Sequence, residues 1–211
     1  AYAKGGPEQA ISMLNVNLDL NITDYVTVDF NSIIECVDLL GGVDMEITDD
    51  EASLMTGYIR ELNELTGNKA ENLTQGGTYT LNGVQACAYA RIRYGGGDDY
   101  RRTERQRTVL TAMVKKAQQS DLTTVNKLIN EVCGDIQTSF SNAELLALAS
   151  QVFQYSIGDT TGFPFTKTTR VLSKKTGDVV IPCDLSDNVK ELHIFLYEDL
   201  SLIHISEPTR P

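Results

Sequence analysis

Arginines crowd into one short stretch of a chain that is otherwise acidic. Six of the nine arginines lie between Arg91 and Arg107, in the sequence RIRYGGGDDYRRTERQR. A guanidinium group stays charged at any workable pH, and its planar fork of donors suits phosphate oxygens. This concentration predicts a site for a multiply charged phosphate group.

Two predicted helices flank the glycines of this stretch and would bring its side chains together. Arg91 and Arg93 end the first helix, and Arg102, Arg105 and Gln106 lie in the opening turns of the second. The last three are spaced i, i+3 and i+4, so they share one helix face. The start of a helix also presents unpaired backbone N–H groups that favour anions. We therefore interpret the four arginines of this set as a candidate anion site.

Other residues of the stretch have simpler interpretations. Arg101 and Arg107 fit the ordinary solvated charge of a helix surface, and Asp99, or Asp98 beside it, fits an N-cap. From the residues alone, a catalytic role for Asp99 is the less favoured interpretation. Gly95 to Gly97 permit a tight turn, but the chain has no GxxxxGK[ST] motif, so a nucleotide hydrolase is disfavoured.

Composition narrows the class of protein. The chain has 211 residues, a formal net charge of −11 and 41% apolar residues, which suits one domain or one domain with a fragment of another. No segment approaches the roughly 18 unbroken apolar residues of a membrane span. The acidic balance argues against nucleic-acid binding. The four cysteines are far apart and form no CxxC pair, so we interpret them as buried or spare thiols.

Hydrophobic periodicity predicts alternating strands and helices, and hence an α/β layered sheet. The segment TYTLNGVQACAYARIR has Leu81 and Val84 on one helical face and Asn82 as a possible cap. Four further helices are predicted to start at Gly5, at an N-cap Asn31 (ending at Gly42), at Asp49, and at Asp98 or Asp99. Three more are predicted to cover residues 122–133, 141–155 and 187–198. The predicted strands cover residues 24–30, 43–48, 168–173 and 178–182.

Several segments, in order, resemble the LytR-CpsA-Psr family of cell-wall transferases. The resemblance runs from Ala1 to about Asp199 and includes DFNSIIECVDLLGGVDMEI and CDLSDNVKELHIFLY. Its most specific part is the motif L-G-x-x-A-x-x-Y-x-R-x-R followed by D-x-x-R-x-x-R-Q. In this chain the motif residues are Leu81, Gly83, Ala86, Tyr89, Arg91, Arg93, Asp99, Arg102, Arg105 and Gln106.

The resemblance implies a fold and an activity. The fold would be a layered α-β-α arrangement with a central mixed sheet flanked by helices. The activity would be transfer of a glycopolymer (teichoic acid, capsule or another wall polysaccharide) from a polyprenyl-diphosphate lipid to peptidoglycan, with the help of Mg²⁺. The family works on the extracytoplasmic face of the bacterial membrane and is anchored there by an N-terminal helix.

The resemblance also implies roles for the motif residues. Arg91, Arg93, Arg102 and Arg105 would hold the diphosphate, and Arg102 would act in catalysis together with Asp99. Asp99 would be the base for the incoming hydroxyl, and Gln106 would bind beside the arginines and orient its neighbours. Phosphoryl transfer depends on positioning and charge neutralisation, which needs no histidine.

Both ends of the chain carry further expectations. The family's metal-binding aspartates, additional arginines and membrane anchor would precede the AYA segment, so we expect residues 1–199 to be a partial catalytic domain, incomplete at its N-terminus. We expect this fragment to lack transferase activity and metal ligands. Residues 200–211 read as the translation of a sequencing-library adapter, and we expect them not to be native.

Three alternatives stay open at this point. The first is a non-catalytic module that binds a lipid diphosphate, and the second is a phosphatase or pyrophosphatase that uses the same arginine pocket. The third is a nucleic-acid-binding protein, which the local arginines allow but the net charge disfavours.

Overall fold

A computed structural model describes residues 1–93, 99–132, 136–173 and 177–197. The expected boundary at residue 199, residues 200–211, Cys133 and the glycines Gly95 to Gly97 lie outside the described residues. The helices are α1 (Tyr2–Leu18), α2 (Phe30–Leu39), α3 (Asp49–Thr66), α4 (Gly83–Arg91), α5 (Asp99–Gln119), α6 (Leu122–Val132), α7 (Asn142–Ser150) and α8 (Leu185–Tyr197), with a 3₁₀ turn at Val152–Gln154. The strands are β1 (Val26–Thr27), β2 (Val43–Ile47), β3 (Gly77–Leu81), β4 (Gln137–Thr138), β5 (Lys167–Ser173) and β6 (Gly177–Pro182).

The α/β class is confirmed, but the strands pair differently from the prediction. The described strands form three separate two-stranded ladders, β1–β4, β2–β3 and β5–β6, and all three are antiparallel, where a central mixed sheet was expected. The short connection between β5 and β6 permits only antiparallel pairing. β1 and β4 contribute two residues each, and such short segments leave little signal for pairing in the sequence.

The start of α2 differs from the prediction for a local reason. The N-cap is Asp29 rather than Asn31, because the Asp29 carboxylate accepts a hydrogen bond of 2.8 Å from the main-chain N–H of Ser32. The helix therefore begins at Phe30, and the strand expected over residues 24–30 is reduced to Val26–Thr27.

The core lies where α2, α3 and α4 enclose one face of the β2–β3 ladder. β2 alternates buried and exposed residues, as a strand with one covered face should. α4 is the central element, since every residue from Gly83 to Tyr89 is buried. The most deeply buried side chains include Val37, Val43, Met55, Ile59, Leu62, Leu81 and Ile92.

The glycine of the motif marks the crossing of α2 and α4. A Cβ atom added to Gly83 would lie 2.2 Å from the carbonyl oxygen of Ile34, so only glycine fits this approach. The main-chain N–H of Gly83 donates to the carboxylate of Asp38 at 2.7 Å, which joins the two helices at the same point. Asn82 caps α4 with a capping box, as predicted. The start of the motif thus fixes the position of the helix that carries Arg91.

Candidate functional site

Arg105 is buried at the meeting point of α3, α4 and α5. Only 7% of the residue is exposed. Its Nε donates to Glu51 Oε1 at 3.2 Å, and its Nη1 donates at 3.4 Å to the carbonyl of Ile92, the C-cap residue of α4. The guanidinium group also lies 5.9 Å from the centre of the Tyr89 ring. Arg105 therefore ties the start of α5 to α3 and to the end of α4.

The Glu51 carboxylate accepts hydrogen bonds from the N-cap of α3 and from a side chain of α5. One carboxylate oxygen accepts from the main-chain N–H of Thr48 at 3.1 Å, which closes the capping box of α3, and the other accepts from Arg105. Burial, and then the Glu51 carboxylate, raise the pKa of Tyr89 above its ordinary value. The phenol beneath Arg105 is therefore neutral at physiological pH, and Glu51 supplies the compensating charge.

Arg91 lies at the end of α4 between two aromatic rings. Its guanidinium carbon is 4.9 Å from the centre of the Phe30 ring and 5.5 Å from that of Tyr58. Nη2 donates to Glu61 at 2.9 Å, whereas the buried Nη1 has no hydrogen-bond partner among the described residues. A buried donor without an acceptor is destabilising. Nη1 is therefore a donor that a ligand oxygen would satisfy.

The remaining predicted site residues are more accessible. Arg93 and Gln106 are exposed, and Arg102 is half-buried in the first turn of α5. Asp99 is the first residue of α5, so it lies inside the helix and not at the N-cap position predicted for it. The side chain of Asp99 and the whole of Asp98 lie outside the described residues, so the proposed base remains a prediction.

The structure brings the two arginine-bearing segments together and pairs two of the arginines with different carboxylates of α3. Glu51 and Glu61, the partners of Arg105 and Arg91, are ten residues apart on α3, which corresponds to about 15 Å along a helix. Arg91 and Arg105 thus have separate carboxylate partners on α3, and their assignment to one diphosphate stays a prediction.

Sequence reasoning did not find the residues that hold these arginines. Glu51 is recognisable as the third residue of an acid-rich helix start, but its ion pair joins residues 54 positions apart. Phe30, Tyr58 and Glu61 carry no local signal, because they reach Arg91 only through the packing of α2 and α3 against α4. Arg107, interpreted as a solvated charge, is half-buried and lines two cavities beside α5.

The described residues offer neither a metal site nor a reactive thiol at this junction. No group of three or more histidine, cysteine, aspartate or glutamate side chains in the described ranges is arranged to hold a metal ion. These side chains alone therefore do not make a magnesium site, and Mg²⁺ rests on the family resemblance. Among the described residues, Cys36, Cys87 and Cys183 form no disulfide bond, and burial raises the pKa of Cys87 to about 12. Across the described part of the chain, none of the helices combines the length and apolar character that crossing a bilayer requires.

The solved structures of TagV and TagT have the same fold as this chain. The structure of TagV from Bacillus subtilis matches with a TM-score of 0.69 and 23% identity, over 95% of this chain and 73% of that one. A structure of TagT bound to LIIa-WTA matches with a TM-score of 0.67 and 22% identity, over 95% of this chain and 70% of that one. The layout of helices and strands is therefore that of this class of protein.

The family model LytR_cpsA_psr matches residues 1–171, and the chain belongs to this family. Over 150 residues the chain is 28% identical to the polyisoprenyl-teichoic acid–peptidoglycan teichoic acid transferase TagV of Bacillus subtilis, covering 70% of this chain and 36% of the relative. Over 141 residues it is 31% identical to biofilm regulatory protein A of Streptococcus mutans, covering 66% of this chain and 33% of the relative. The chain thus spans about a third of the length of these relatives.

Proposed function

We propose that this chain is part of a transferase that moves a glycopolymer from a polyprenyl-diphosphate lipid to peptidoglycan. Membership of the family supports the proposal. So do relatives named as transferases of teichoic acid to peptidoglycan, and the TagT structure with a bound wall teichoic acid donor supports binding of a lipid-linked glycopolymer. The glycopolymer in this scheme is a teichoic acid, a capsule or another wall polysaccharide.

The observation that carries the proposal is the buried contact between Arg105 and the carbonyl of Ile92 at 3.4 Å. Ile92 immediately precedes Arg93, and Arg105 lies one helical turn after Arg102. The contact therefore holds the segment bearing Arg93 beside the helix face bearing Arg102. A diphosphate at this junction would meet cationic donors from both segments together with the start of α5.

The reaction would be a phosphoryl transfer. An acceptor hydroxyl of peptidoglycan attacks the phosphorus on the glycopolymer side, a P–O bond to the new oxygen forms, and the P–O–P bond breaks. The lipid leaves as its monophosphate. Negative charge grows on the leaving phosphate, where nearby guanidinium groups stabilise it. Asp99 takes the proton of the attacking hydroxyl in this scheme.

The arginines would divide the work between them. Arg93 and Arg102 contact the diphosphate oxygens, and Arg91 adds the Nη1 donor that has no partner among the described residues. Arg105, predicted as a fourth ligand of the diphosphate, is held by Glu51 and by the Ile92 carbonyl, so its first role in this scheme is to position α5. Gln106, exposed next to Arg105, orients the bound group.

The proposal includes a location and partners. The transferase works on the extracytoplasmic face of the bacterial membrane, where lipid-linked polymer and peptidoglycan meet. Mg²⁺ assists by neutralising phosphate charge when it is bound. Nucleic acid is not a partner in this scheme, since the chain carries a net charge of −11.

The proposal is tested by calorimetric titration of the chain with geranyl diphosphate and with geranyl monophosphate. A site built for the donor binds the diphosphate more tightly, and higher salt weakens binding because charge pairs dominate. Equal binding of the two ligands, or no binding, would contradict the proposal. Release of inorganic phosphate from pyrophosphate by the chain would instead favour a pyrophosphatase.

A further inference from the structure

A second cavity lies beside α5, on a different face from Arg102. Its volume is about 670 Å³, and its walls are the first turns of α5, the segment 161–165, the β5–β6 hairpin and α8. This volume is in the range of small-ligand sites in proteins. We call it the α5–β5 groove.

Aromatic rings form one wall of the α5–β5 groove. Phe163 and Phe165 pack edge to face, with ring centres 6.3 Å apart and planes at 84°. Phe163 is 36% exposed, so much of its ring faces solvent. On the side of α5, the Nζ of Lys167 lies 3.6 Å from the centre of the Tyr100 ring. Exposed aromatic faces attract the slightly positive C–H face of a pyranose ring.

The polar wall of the groove has balanced charge. It contains two cations, Arg107 and Lys167, and two carboxylates, Glu104 and Glu191. Among the described residues no carboxylate forms an ion pair with Arg107. A mixture of hydrogen-bond donors and acceptors suits sugar hydroxyls, which both donate and accept hydrogen bonds. A polyanion would find no net positive charge here.

We propose that the α5–β5 groove is a saccharide-binding subsite that holds a neutral pyranose unit. The inference rests on the proposed function, because it gives the transferase a place for a sugar of the donor polymer or of the acceptor glycan. Tyr100, in the groove, precedes Arg102 by two residues on α5. The groove therefore begins at the helix end where the diphosphate is proposed to bind.

The test is titration of the chain with the tetramer of N-acetylglucosamine, in which NMR and calorimetry measure the binding. Phe163→Ala removes the aromatic wall, and Arg107→Gln removes the guanidinium group; each should weaken binding about fivefold or more. The matched controls are Phe153→Ala, an exposed phenylalanine outside the groove, and Arg60→Gln, an exposed arginine on α3. Both controls should bind as the wild type does.

Several results would overturn the subsite. The first is that the wild type does not bind the tetramer. The second is that variants and controls lose equal affinity for the tetramer. The third is that a glycerol-phosphate oligomer binds more tightly than the tetramer through the same residues. If Phe163→Ala fails to fold, the Arg107→Gln variant decides whether the subsite exists, because the Arg107 side chain lies outside the hydrophobic core. If geranyl diphosphate still binds while the tetramer does not, the subsite fails and the proposed function stands; the reverse result rejects the function alone.

N-acetylglucosamine 1-diphosphate separates the two possible sources of the sugar. If the groove holds the sugar attached to the donor diphosphate, this compound binds more tightly than pyrophosphate, and Phe163→Ala abolishes the gain. If the groove holds the acceptor glycan, the compound binds no more tightly than pyrophosphate, while the tetramer still depends on Phe163. A gain that Phe163→Ala leaves intact would contradict the subsite in either form.

Discussion

The guanidinium group of Arg105 and the main-chain carbonyl of Ile92 meet at 3.4 Å inside the protein. This contact joins the residue between Arg91 and Arg93 to the opening turns of the next arginine-bearing segment. Since Glu51 holds the same guanidinium group at 3.2 Å, the contact has the support of α3. An arginine of the family motif thus builds the site from within, while Arg93 and Arg102 remain nearer to solvent.

Removal of the Arg105 side chain should destabilise the fold. Its ion pair with Glu51 is mostly buried, with side-chain exposures of 8% and 14%. Arg105→Ala leaves the Glu51 carboxylate buried without its cation, which typically costs about 3–5 kcal/mol of unfolding free energy. Urea unfolding measures the change. The control, Lys127→Ala, breaks an exposed pair and should cost less than about 0.5 kcal/mol. An unchanged unfolding free energy in Arg105→Ala would show that the role of Arg105 is confined to ligand binding.

Two glycines of the core helices should respond in opposite ways to alanine. At Gly83 the new Cβ would lie 2.2 Å from a main-chain oxygen of α2, so Gly83→Ala should cost about 1–3 kcal/mol or more. At Gly57, within α3, nothing beyond the adjoining residues and the nearby backbone of the same helix lies within 4 Å of the added Cβ. Gly57→Ala should therefore stabilise the chain by up to about 1 kcal/mol. Thermal unfolding compares the two, and equal shifts would refute the close crossing of α2 and α4.

The cap of α2 should depend on pH. Hydrogen bonds from the main-chain N–H and the hydroxyl of Ser32 lower the pKa of Asp29 below its ordinary value of 3.8. The stabilisation by the ionised cap is thus complete above that value and is lost as the pH falls through the lower folded pKa. Asp29→Ala should cost about 1 kcal/mol near neutral pH and less at about pH 3. Urea unfolding at both pH values is the measurement. Asp29→Asn, which keeps the cap without the charge, should cost little at either, and a loss from Asp29→Ala that is the same at both would contradict the assignment.

Thiol reactivity should differ sharply between two cysteines. Burial raises the pKa of Cys87 to about 12, whereas Cys183 is exposed. At about pH 8 the folded protein holds only about one thiolate in ten thousand at Cys87, and the thiolate is the reactive form. Iodoacetamide followed by peptide mass spectrometry should modify Cys183 first and Cys87 only after urea is added. Rapid labelling of Cys87 in the native protein would show that α4 is less well packed than described.

Local signals predicted much of the fold. Asn82 accepts from the main-chain N–H of Gln85, and Glu51 accepts from that of Thr48, so both contacts lie within four residues of sequence. Gly67, in the left-handed conformation, ends α3 for a similarly local reason. The N-cap of α2 was predicted as Asn31 and is Asp29, because both residue types cap helices well and only the contact with Ser32 decides between them.

The long-range features could not be predicted in the same way. Pairing of β1 with β4 joins Val26 to Thr138, and no local pattern specifies a partner so distant. The same holds for the site, where Glu51 and Glu61 reach their arginines only after α3 packs on α4. The sequence motif singled out Arg91, Arg93, Arg102 and Arg105 as one set. It did not distinguish Arg105, which is internal, from Arg93, which is exposed.

The central claim is that Arg93 and Arg102, from two segments joined by Arg105, act on one diphosphate. Calorimetric titration with geranyl diphosphate tests it most directly, using Arg93→Ala, Arg102→Ala and the exposed control Arg60→Ala. We predict that each of the first two variants weakens binding about tenfold or more, as loss of a charge-assisted hydrogen bond should, while Arg60→Ala binds as the wild type does. Binding by Arg102→Ala as tight as that of the wild type would contradict the account.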